Sequence, residues 1–495
     1  MVRKQYRAWT PDDTFLFPPS PRDWLPKDHL VYFILDLVEM LDLSEIEAFI
    51  QTKDPRGVRP YNPTMMVALL VYAYCIGFFS SRKIERATYE QVAFRVLTGG
   101  QHPHHTRIAA FRKNHLVALA GLFKQVLRLC QEAGLVKLGH VALDGTKLQG
   151  NASKHKAMSY EYMKKLEARL ETEIANLLGR AERADAQDDE RLGDGVDEED
   201  IPAELQRREQ RLTKLREAKE ALEAEASRAR AAHLRELADG CDERAQTAEV
   251  ERERKLNETL AAKHRDKAAD LSDEDDDEPP FVTPGGLPMH QPKSEVDGKP
   301  KDSAQRNFTD PDSRIMESGG AFLQGYNCQA AVDDAAQVIT AADVTNQPPD
   351  SGNFAPMMEQ VSDNCGEPPD AATGDTGYWT SDVEAVCDAL GINAYIATER
   401  RKHWAAELEV TKGPPPEHAN AQDRMRHKVR TTEGRAIYAL RKSTVEPVFG
   451  QIKEARGFRR FLLRGLEAVT GEWSLLCMTH NILKLYRSSR KPSVV

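Results

Sequence analysis

A chain of 495 residues with 29% charged side chains and a net charge of −10 at neutral pH is too long for one hydrophobic core, so two or three domains are expected. The first residues, MVRKQYRAWTPDD, lack the apolar centre of a signal peptide, and the longest apolar run, Met65 to Phe79, is shorter than the ~20 residues a membrane-spanning helix needs. A cytoplasmic protein with no membrane attachment is expected, and seven scattered cysteines without a C-x-x-C pair exclude a disulfide framework or a zinc ribbon.

From Asp28 to about Leu138 the apolar residues recur at helical spacing, in VYFILDLVEML, MMVALLVYAYCIGFF and LVALAGLFKQVLRL. This predicts an all-helical N-terminal domain over residues 1–138. Between the last two runs, TRIAAFRKNH sets Arg107, Arg112 and Lys113 beside Ile108 and Phe111. It reads equally as a helix laid against DNA and as a solvated bundle helix. VALD, ending in Asp144 and followed by Gly145, predicts a short buried strand and a turn, the first strand of another domain at 139–154.

From Tyr160 to about Leu271 the chain is highly charged and helical. Tyr162, Leu166, Leu170, Ile174 and Leu177 form one stripe, and Leu205, Leu212, Leu215 and Leu222 stand at heptad-like spacing. A coiled-coil-like hairpin is predicted, turning in the acidic GDGVDEEDIP at 194–202. An acidic run, Asp273 to Glu278, and a Pro/Gly-rich linker to about Lys301 follow. Residues 155–305 thus read as a charged helical insertion. They hold 39 acidic against 26 basic side chains, whereas 399–491 hold 20 basic against 10 acidic. The acidity is local, and the C-terminal segment has the basic surplus that a phosphate backbone requires.

Short strands return with RIM, then AFLQGYNCQAAV and QVITAADV, read as a hairpin turning at Asp333-Asp334. A helix marked by Phe354, Met357, Met358 and Val361 leads to the strand AAT and Asp375. A second helix, capped by Ser381, striped by Val383, Val386, Cys387 and Leu390 and stopped by Gly391, leads to the strand INAYIA. Meander followed by alternation predicts a mixed α/β sheet over 306–487, with a tail at 488–495.

Asp144 and Asp375 each end a short apolar strand and precede a glycine, Gly145 and Gly377, so both are placed to emerge at one sheet edge. A single aspartate there is ordinarily a cap or turn residue. A third acid, Glu446, lies in RKSTVEPVFGQIKEARGFRRF, where Thr444 is read as a helix cap and Pro447 suits a first turn. Val445, Val448, Phe449 and Ile452 form the apolar stripe of this helix, with Glu446, Gly450, Lys453 and Gly457 on another face. Three hard oxygen donors from distant segments are what a two-metal phosphodiester site needs.

These residues resemble the bacterial insertion-sequence transposases of the DDE class, which have an RNase H-like catalytic domain. The resemblance runs through the helical N-terminal part, VALDGTKLQGNASKHKAM, QRNFTDPDSRIM, FLQGYNCQAAVD, GDTGYW and TVEPVFGQIKEARGFRRFLLRG. Its most specific part is a Tyr-Arg-Glu-Lys signature in Tyr438, Arg441, Glu446 and Lys453. Here four residues separate Arg from Glu instead of three, and Lys442 would restore the usual spacing. The resemblance implies that Asp144, Asp375 and Glu446 bind two Mg²⁺, with Mn²⁺ able to substitute. It also implies that Arg441 or Lys442, Lys453 and Tyr438 meet DNA near the scissile bond, and Arg456, Arg459, Arg460 and Arg464 extend the basic surface. The implied activity is phosphodiester hydrolysis at element ends and strand transfer into target DNA, by a homo-oligomer in a synaptic complex on double-stranded DNA, nucleoid-associated when bound. Two alternatives stand beside it: a nuclease of the same fold without strand transfer, and a noncatalytic DNA-binding or assembly protein.

Three further features set a structural reading beside a functional one: metal ligation for three histidines and a fourth site carboxylate for two aspartates, where the structural reading is favoured, and base stacking for a tryptophan. His102, His104 and His105 in HPHH lie in a loop without partner cysteines. Asp310 and Asp312 in TDPDSR form a turn before a strand. Trp379, just after the Asp375 turn, suits base stacking and core packing equally.

Overall fold

The structure, a computed structural model, describes residues 8–10, 21–52, 59–192, 203–271, 281–399 and 409–490. The chain divides into two compact units, one of residues 1–151, 283–288 and 315–495, the other of 152–282 and 289–314. Its elements begin with α1 (Leu30–Met40), α2 (Ser44–Gln51), α3 (Pro63–Cys75), α4 (Ser81–Glu90), α5 (Val92–Thr98), α6 (His105–Asn114) and α7 (Leu116–Glu132). Then come β1 (His140–Gln149), β2 (Ala157–Ser159), α8 (Tyr160–Leu192), α9 (Ala203–Thr247), α10 (Glu251–Ala269), β3 (Gln305–Asn307), β4 (Arg314–Ser318), β5 (Ala321–Asp333) and β6 (Val338–Thr345). Last are α11 (Phe354–Cys365), β7 (Ala371–Gly374), α12 (Val383–Ala389), β8 (Asn393–Ile396), α13 (Ala421–Arg430), α14 (Thr432–Thr444), α15 (Glu446–Gly450) and α16 (Leu466–Ser489).

The first unit is mixed α/β. Its sheet runs β4-β5-β1-β7-β8, with β6 paired to β5. β1 and β5 are antiparallel from Val141↔Asp333 to Gln149↔Gly325, while β1 runs parallel to β7 only from His140↔Ala371 to Ala142↔Thr373. Asp144 is therefore inside a ten-residue strand on one side and past the end of pairing on the other. This corrects the expected strand end and turn at Gly145: antiparallel pairing with β5 carries β1 five residues beyond Asp144.

Alternation along β1 turns Val141 and Leu143 toward a core with Ala331, Phe354, Met357, Met358, Val361 and Tyr378, which α11 and α12 close. Ala142 and Asp144 face the other way. α12 starts after Asp382 without a side-chain cap, so the cap expected from Ser381 is not formed. The hairpin loop is Asp334–Gln337, because Asp333 stays in β5 and its Oδ2 accepts the backbone N–H groups of Lys137 (3.0 Å) and Leu138 (2.7 Å).

The N-terminal helices share this unit. α3 is buried along its length, begun by Asn62, whose Oδ1 accepts Met65 N at 3.2 Å, and by Pro63. α16 packs on α3, α7 and β6. Asn481 of α16 bonds both backbone groups of Ile339 on β6, each at 2.8 Å, and so covers the edge of that strand not paired with β5. All seven cysteines are free.

The segment read as a linker contains a packed piece. Thr283 Oγ1 donates to Asp343 Oδ2 at 3.0 Å, Gln360 Nε2 donates to Gly285 O at 2.9 Å, and Leu287 is fully buried in the core below β1. Residues 283–288 return to the sheet because a buried carboxylate on β6 and a leucine socket hold them.

In the second unit, α8 and α9 are antiparallel: Tyr160 Oη donates to Glu223 at 2.5 Å, and Arg216 pairs with Glu167 and Glu171. Tyr160, Met163, Leu166 and Leu170 meet Leu212, Leu215 and Leu222. Tyr162 is exposed, so Met163 takes its expected place on the stripe. The stretch breaks once more, and α10 packs back on α9 through Ala231, Leu234 and Ala268. The turn expected at 194–202 and the acidic run at 273–278 lie outside the described residues.

Two leucines test the division between core and surface. Leu287→Ala, at a fully buried site, should lower unfolding free energy by about 2–5 kcal/mol in urea titration. Leu256→Ala on the exposed side of α10 should change it by less than about 0.5 kcal/mol.

Candidate active site

The site lies on the face of β1 that carries Asp144, beside the end of β7. Asp375 directly follows β7, and its Oδ1 accepts Gly377 N at 2.8 Å, which fixes the carboxylate at the start of a tight turn. Asp144 Oδ1 accepts Gly145 N at 2.8 Å, and its Oδ2 accepts Arg441 Nη1 at 3.2 Å. Arg441 Nη2 stands 4.0 Å from Glu446 Oε1, so one guanidinium bridges two acids that are 302 residues apart in sequence. The Arg441 head also lies over the Tyr438 ring, 5.9 Å from its centroid.

Burial raises the Asp144 pKa to about 6; Arg441 opposes that rise, and the neighbouring charges of Asp375 and Asp350 add to it. Burial disfavours the Arg441 charge, yet Asp144, Tyr438, Asp375 and Glu446 together hold its pKa above the usual value. Lys453 is shifted down by burial, with Cys328 and Asp144 opposing. Asp375 and Asp144 therefore sense one another, and Lys453 and Arg441 sense Asp144. Glu446 is the exposed member, at 53% of its side chain.

Local structure around Glu446 differs from a simple capped helix. α14 runs through Thr444, whose Oγ1 donates back to Leu440 O at 2.8 Å, so Thr444 is not a cap. Pro447 has no N–H for the carbonyl of Ser443, and that oxygen accepts Gln337 Nε2 at 2.9 Å instead. Val445, Val448, Phe449 and Ile452 are buried as expected. The next turn, Gln451–Ala455, is widened to a π-helix that carries Lys453. Arg441 is the basic residue turned to Asp144, and Lys442 is exposed.

Other expected members are placed differently. Arg456 is buried, donates to Thr479 Oγ1 at 2.8 Å and Leu476 O at 3.3 Å, and has its pKa lowered to about 10 by burial. It belongs to the core, because Gly457 turns the chain and sends the preceding side chain under α16. Arg459, Arg460 and Arg464 are exposed; Arg460 Nη2 reaches Asn151 Oδ1 and Arg464 Nε reaches Asn151 O, both at 2.9 Å. Arg459 pairs with Glu454. In α6, Arg112 is also buried, bonding Tyr74 Oη and Phe79 O at 2.9 Å each, while Arg107 and Lys113 remain exposed.

His105 Nδ1 donates to Glu85 Oε2 at 2.7 Å, and His104 caps α6 by accepting Thr106 N at 3.4 Å. This is a helix-start arrangement, and His102 stacks separately on Tyr89, 3.8 Å between ring centroids. Asp310 is buried in a turn whose carbonyl accepts Ser313 N at 3.2 Å. Trp379 packs partly against the main core. Sequence reading missed Asp350, which lies under Gly145 and Gly377; no periodicity marks a loop aspartate in NQPPDSGN.

Residues 400–486 match the family described as Transposase DDE domain, and residues 19–114 match Transposase domain (DUF772). The first match holds Tyr438, Arg441, Glu446 and Lys453; the second spans α1 to α6. Both matches support an insertion-sequence transposase, an enzyme that acts on DNA. No curated protein and no solved structure matches the chain. Among the described residues no helix is long and apolar enough to cross a membrane.

The burial of Arg456 sets a contrast. Arg456→Ala should reduce stability by about 1–3 kcal/mol, because it strips hydrogen bonds from buried oxygens. Arg459→Ala should leave melting unchanged and weaken binding to duplex DNA, with a smaller salt slope in a fluorescence anisotropy titration.

Proposed function

We propose that the chain is a DDE transposase that hydrolyses phosphodiesters at insertion-sequence ends and transfers the freed 3′-OH to target DNA. The observation that carries this reading is the bridge of Arg441 between Asp144 and Glu446 beside Asp375. Acids from three distant segments converge, and a cation already balances them. Such a donor set, all carboxylate oxygen, fits Mg²⁺, with Mn²⁺ able to substitute. Asp144, Asp375 and Glu446 would hold two such ions, whose chemistry would be to activate the attacking oxygen and stabilise the leaving one.

The chain's own residues do the rest. Arg441 offers a planar, two-pronged donor that suits a phosphate once its acid partners are otherwise neutralised. Lys453, half-buried in the wide turn, is a compact charge aimed at the same place, and Tyr438 flanks it. Arg459, Arg460 and Arg464 follow the duplex away from the cut. Lys442, exposed on α14, adds to that surface and not to the site. In this reading the sheet of the first unit is RNase H-like, interrupted after β1 by a coiled-coil-like arm built from α8, α9 and α10. The arm serves assembly of a homo-oligomer on paired DNA ends, and α6 presents Arg107 and Lys113 to DNA. The enzyme acts in the cytoplasm, on nucleoid DNA.

The deciding experiment incubates the chain with its own flanking DNA and Mg²⁺ and maps cut and joined ends. Joined products establish transposition, cuts without joining leave a nuclease, and binding without either leaves an assembly protein. Asp144→Ala, Asp375→Ala and Glu446→Ala should each lower nicking at least 1,000-fold, a loss of about 4 kcal/mol of transition-state stabilisation, with DNA binding retained. A variant that still nicks at the wild-type rate removes its residue from the site. Ca²⁺, with its looser and higher coordination, should support DNA binding without efficient nicking; full activity in excess chelator overturns the metal assignment.

A further inference from the structure

Asp350 entered the site above only as a neighbouring charge, yet it is among the most heavily tied side chains beside it. Its Oδ1 accepts Asn327 Nδ2 at 2.7 Å, Gln329 Nε2 at 3.0 Å and Lys147 Nζ at 3.1 Å, and its Oδ2 accepts Lys147 Nζ at 2.9 Å. The Lys147–Asp350 pair is largely enclosed, 18% exposed on each side chain. Gln329 in turn accepts the hydroxyl of the buried Tyr378, three residues after Asp375.

Two glycines show what this carboxylate supports. A Cβ at Gly145 would stand 2.7 Å from Asp350 Oδ1 and 2.6 Å from Gln329 Nε2. A Cβ at Gly377 would stand 3.4 Å from both Cβ and Oδ2 of Asp350, and 3.0 Å from Asp375 Oδ1. The residue after Asp144 and the turn after Asp375 thus both rest on Asp350. Neither glycine has a left-handed φ: close approach of Asp350 and Gln329 explains Gly145, while at Gly377 the tight contact is with Asp375 itself and Asp350 packs at van der Waals distance.

We propose that Asp350 is a positioning residue: clamped by Lys147, Asn327 and Gln329, it sets the Asp144 strand and the Asp375 turn at one fixed separation. The inference rests on the reading of Asp144 and Asp375 as a metal-holding pair, and it predicts that the clamp governs metal affinity without touching metal. Because β1 alternates, Lys147 and Gly145 face away from Asp144, so the clamp acts from the opposite side of the strand.

The test uses the full chain with Asp350→Asn and Lys147→Met. Without metal, hydrogen exchange at 144–147 and 375–378 should quicken at least tenfold in both variants, while exchange in α11 stays as in the wild type. Mn²⁺ binding, followed by the free-ion paramagnetic resonance signal, should weaken at least tenfold in both. Lys147→Met is the discriminating variant: a charge effect alone would tighten Mn²⁺ binding when a nearby cation is removed, and that result overturns the proposal. Unchanged exchange, or a change in only one of the two segments, also overturns it. If Asp350→Asn loses its fold, Lys147→Met carries both readouts. Wild-type protein that binds no Mn²⁺ sinks the metal reading of the pair, and the exchange data then judge the clamp by themselves.

Discussion

Like charges gathered at one sheet edge repel, and in a partly buried place that repulsion is several times stronger than in water. The Arg441 guanidinium offsets it, touching Asp144 at 3.2 Å and standing 4.0 Å from Glu446. Much of the surrounding architecture serves to keep that one cation there. Its helix cannot run straight on, because Pro447 ends regular bonding one residue after Glu446, and the freed Ser443 carbonyl must find another donor. Gln337, held at a φ of 58° in the β5–β6 loop, supplies it. Gln337 is itself fixed: His480 Nε2 donates to its carbonyl at 2.9 Å, and Lys484 Nζ donates to its side-chain oxygen at 2.8 Å. A hairpin loop, α16 and the helix break are therefore one assembly, and Arg441 is where it reaches the acids.

The N-terminal helices join this assembly by a buried polar chain. Arg112 of α6 donates to Tyr74 of α3, and Tyr74 donates at 2.8 Å to the fully buried Glu472 of α16. The other oxygen of Glu472 accepts Leu462 N at 2.9 Å and Leu463 N at 3.3 Å. Those two amides lie in the exposed basic segment, whose Arg460 and Arg464 grip Asn151 at the end of β1. An unpaired carboxylate at Glu472 would be strongly unfavourable, so α6, α16 and the basic segment are held in one arrangement.

Much of the fold was legible because its elements are periodic. The stripes of α1, α7 and α11 and the buried α3 follow from apolar spacing alone, and β5 and β6 from two apolar runs about a turn. What spacing could not show was where pairing stops. VALD reads as a complete strand, and only β5 reveals that β1 continues past Asp144 to Gln149. Thr283 to Pro288 read as linker because Pro and Gly dominate it, yet one leucine and one threonine bind it to the core. In sequence, Asp144, Asp375 and Glu446 stand out only as a set and through the family resemblance, since each alone reads as a cap or turn acid; the turn read at Gly145 is wrong, yet Asp144 and Glu446 do come to one arginine. Asp350 was not legible, since its role depends on neighbours at 145, 147, 327, 329 and 377 that only the folded sheet collects.

The same limit explains the misread arginines. In sequence, Arg112 and Arg456 look like Arg107 and Arg459, each a cation in a polar helix or its end. Burial separates them: Arg456 has 9% of its surface exposed and Arg112 4%, and both donate to fixed oxygens inside the first unit. Fixed buried cations cannot also follow a phosphate backbone. A basic count alone therefore overstates the DNA-facing charge of the C-terminal segment. Under the proposed function, the described cations that would meet DNA include Arg459, Arg460, Arg464 and Lys442 at the rim, with Arg441 and Lys453 at the acids. Since Arg460 and Arg464 are tied to Asn151 at the end of β1, the surface that would hold DNA and the strand that bears Asp144 are parts of one rigid edge. Electrostatic binding there would place a phosphate with little further rearrangement of the strand.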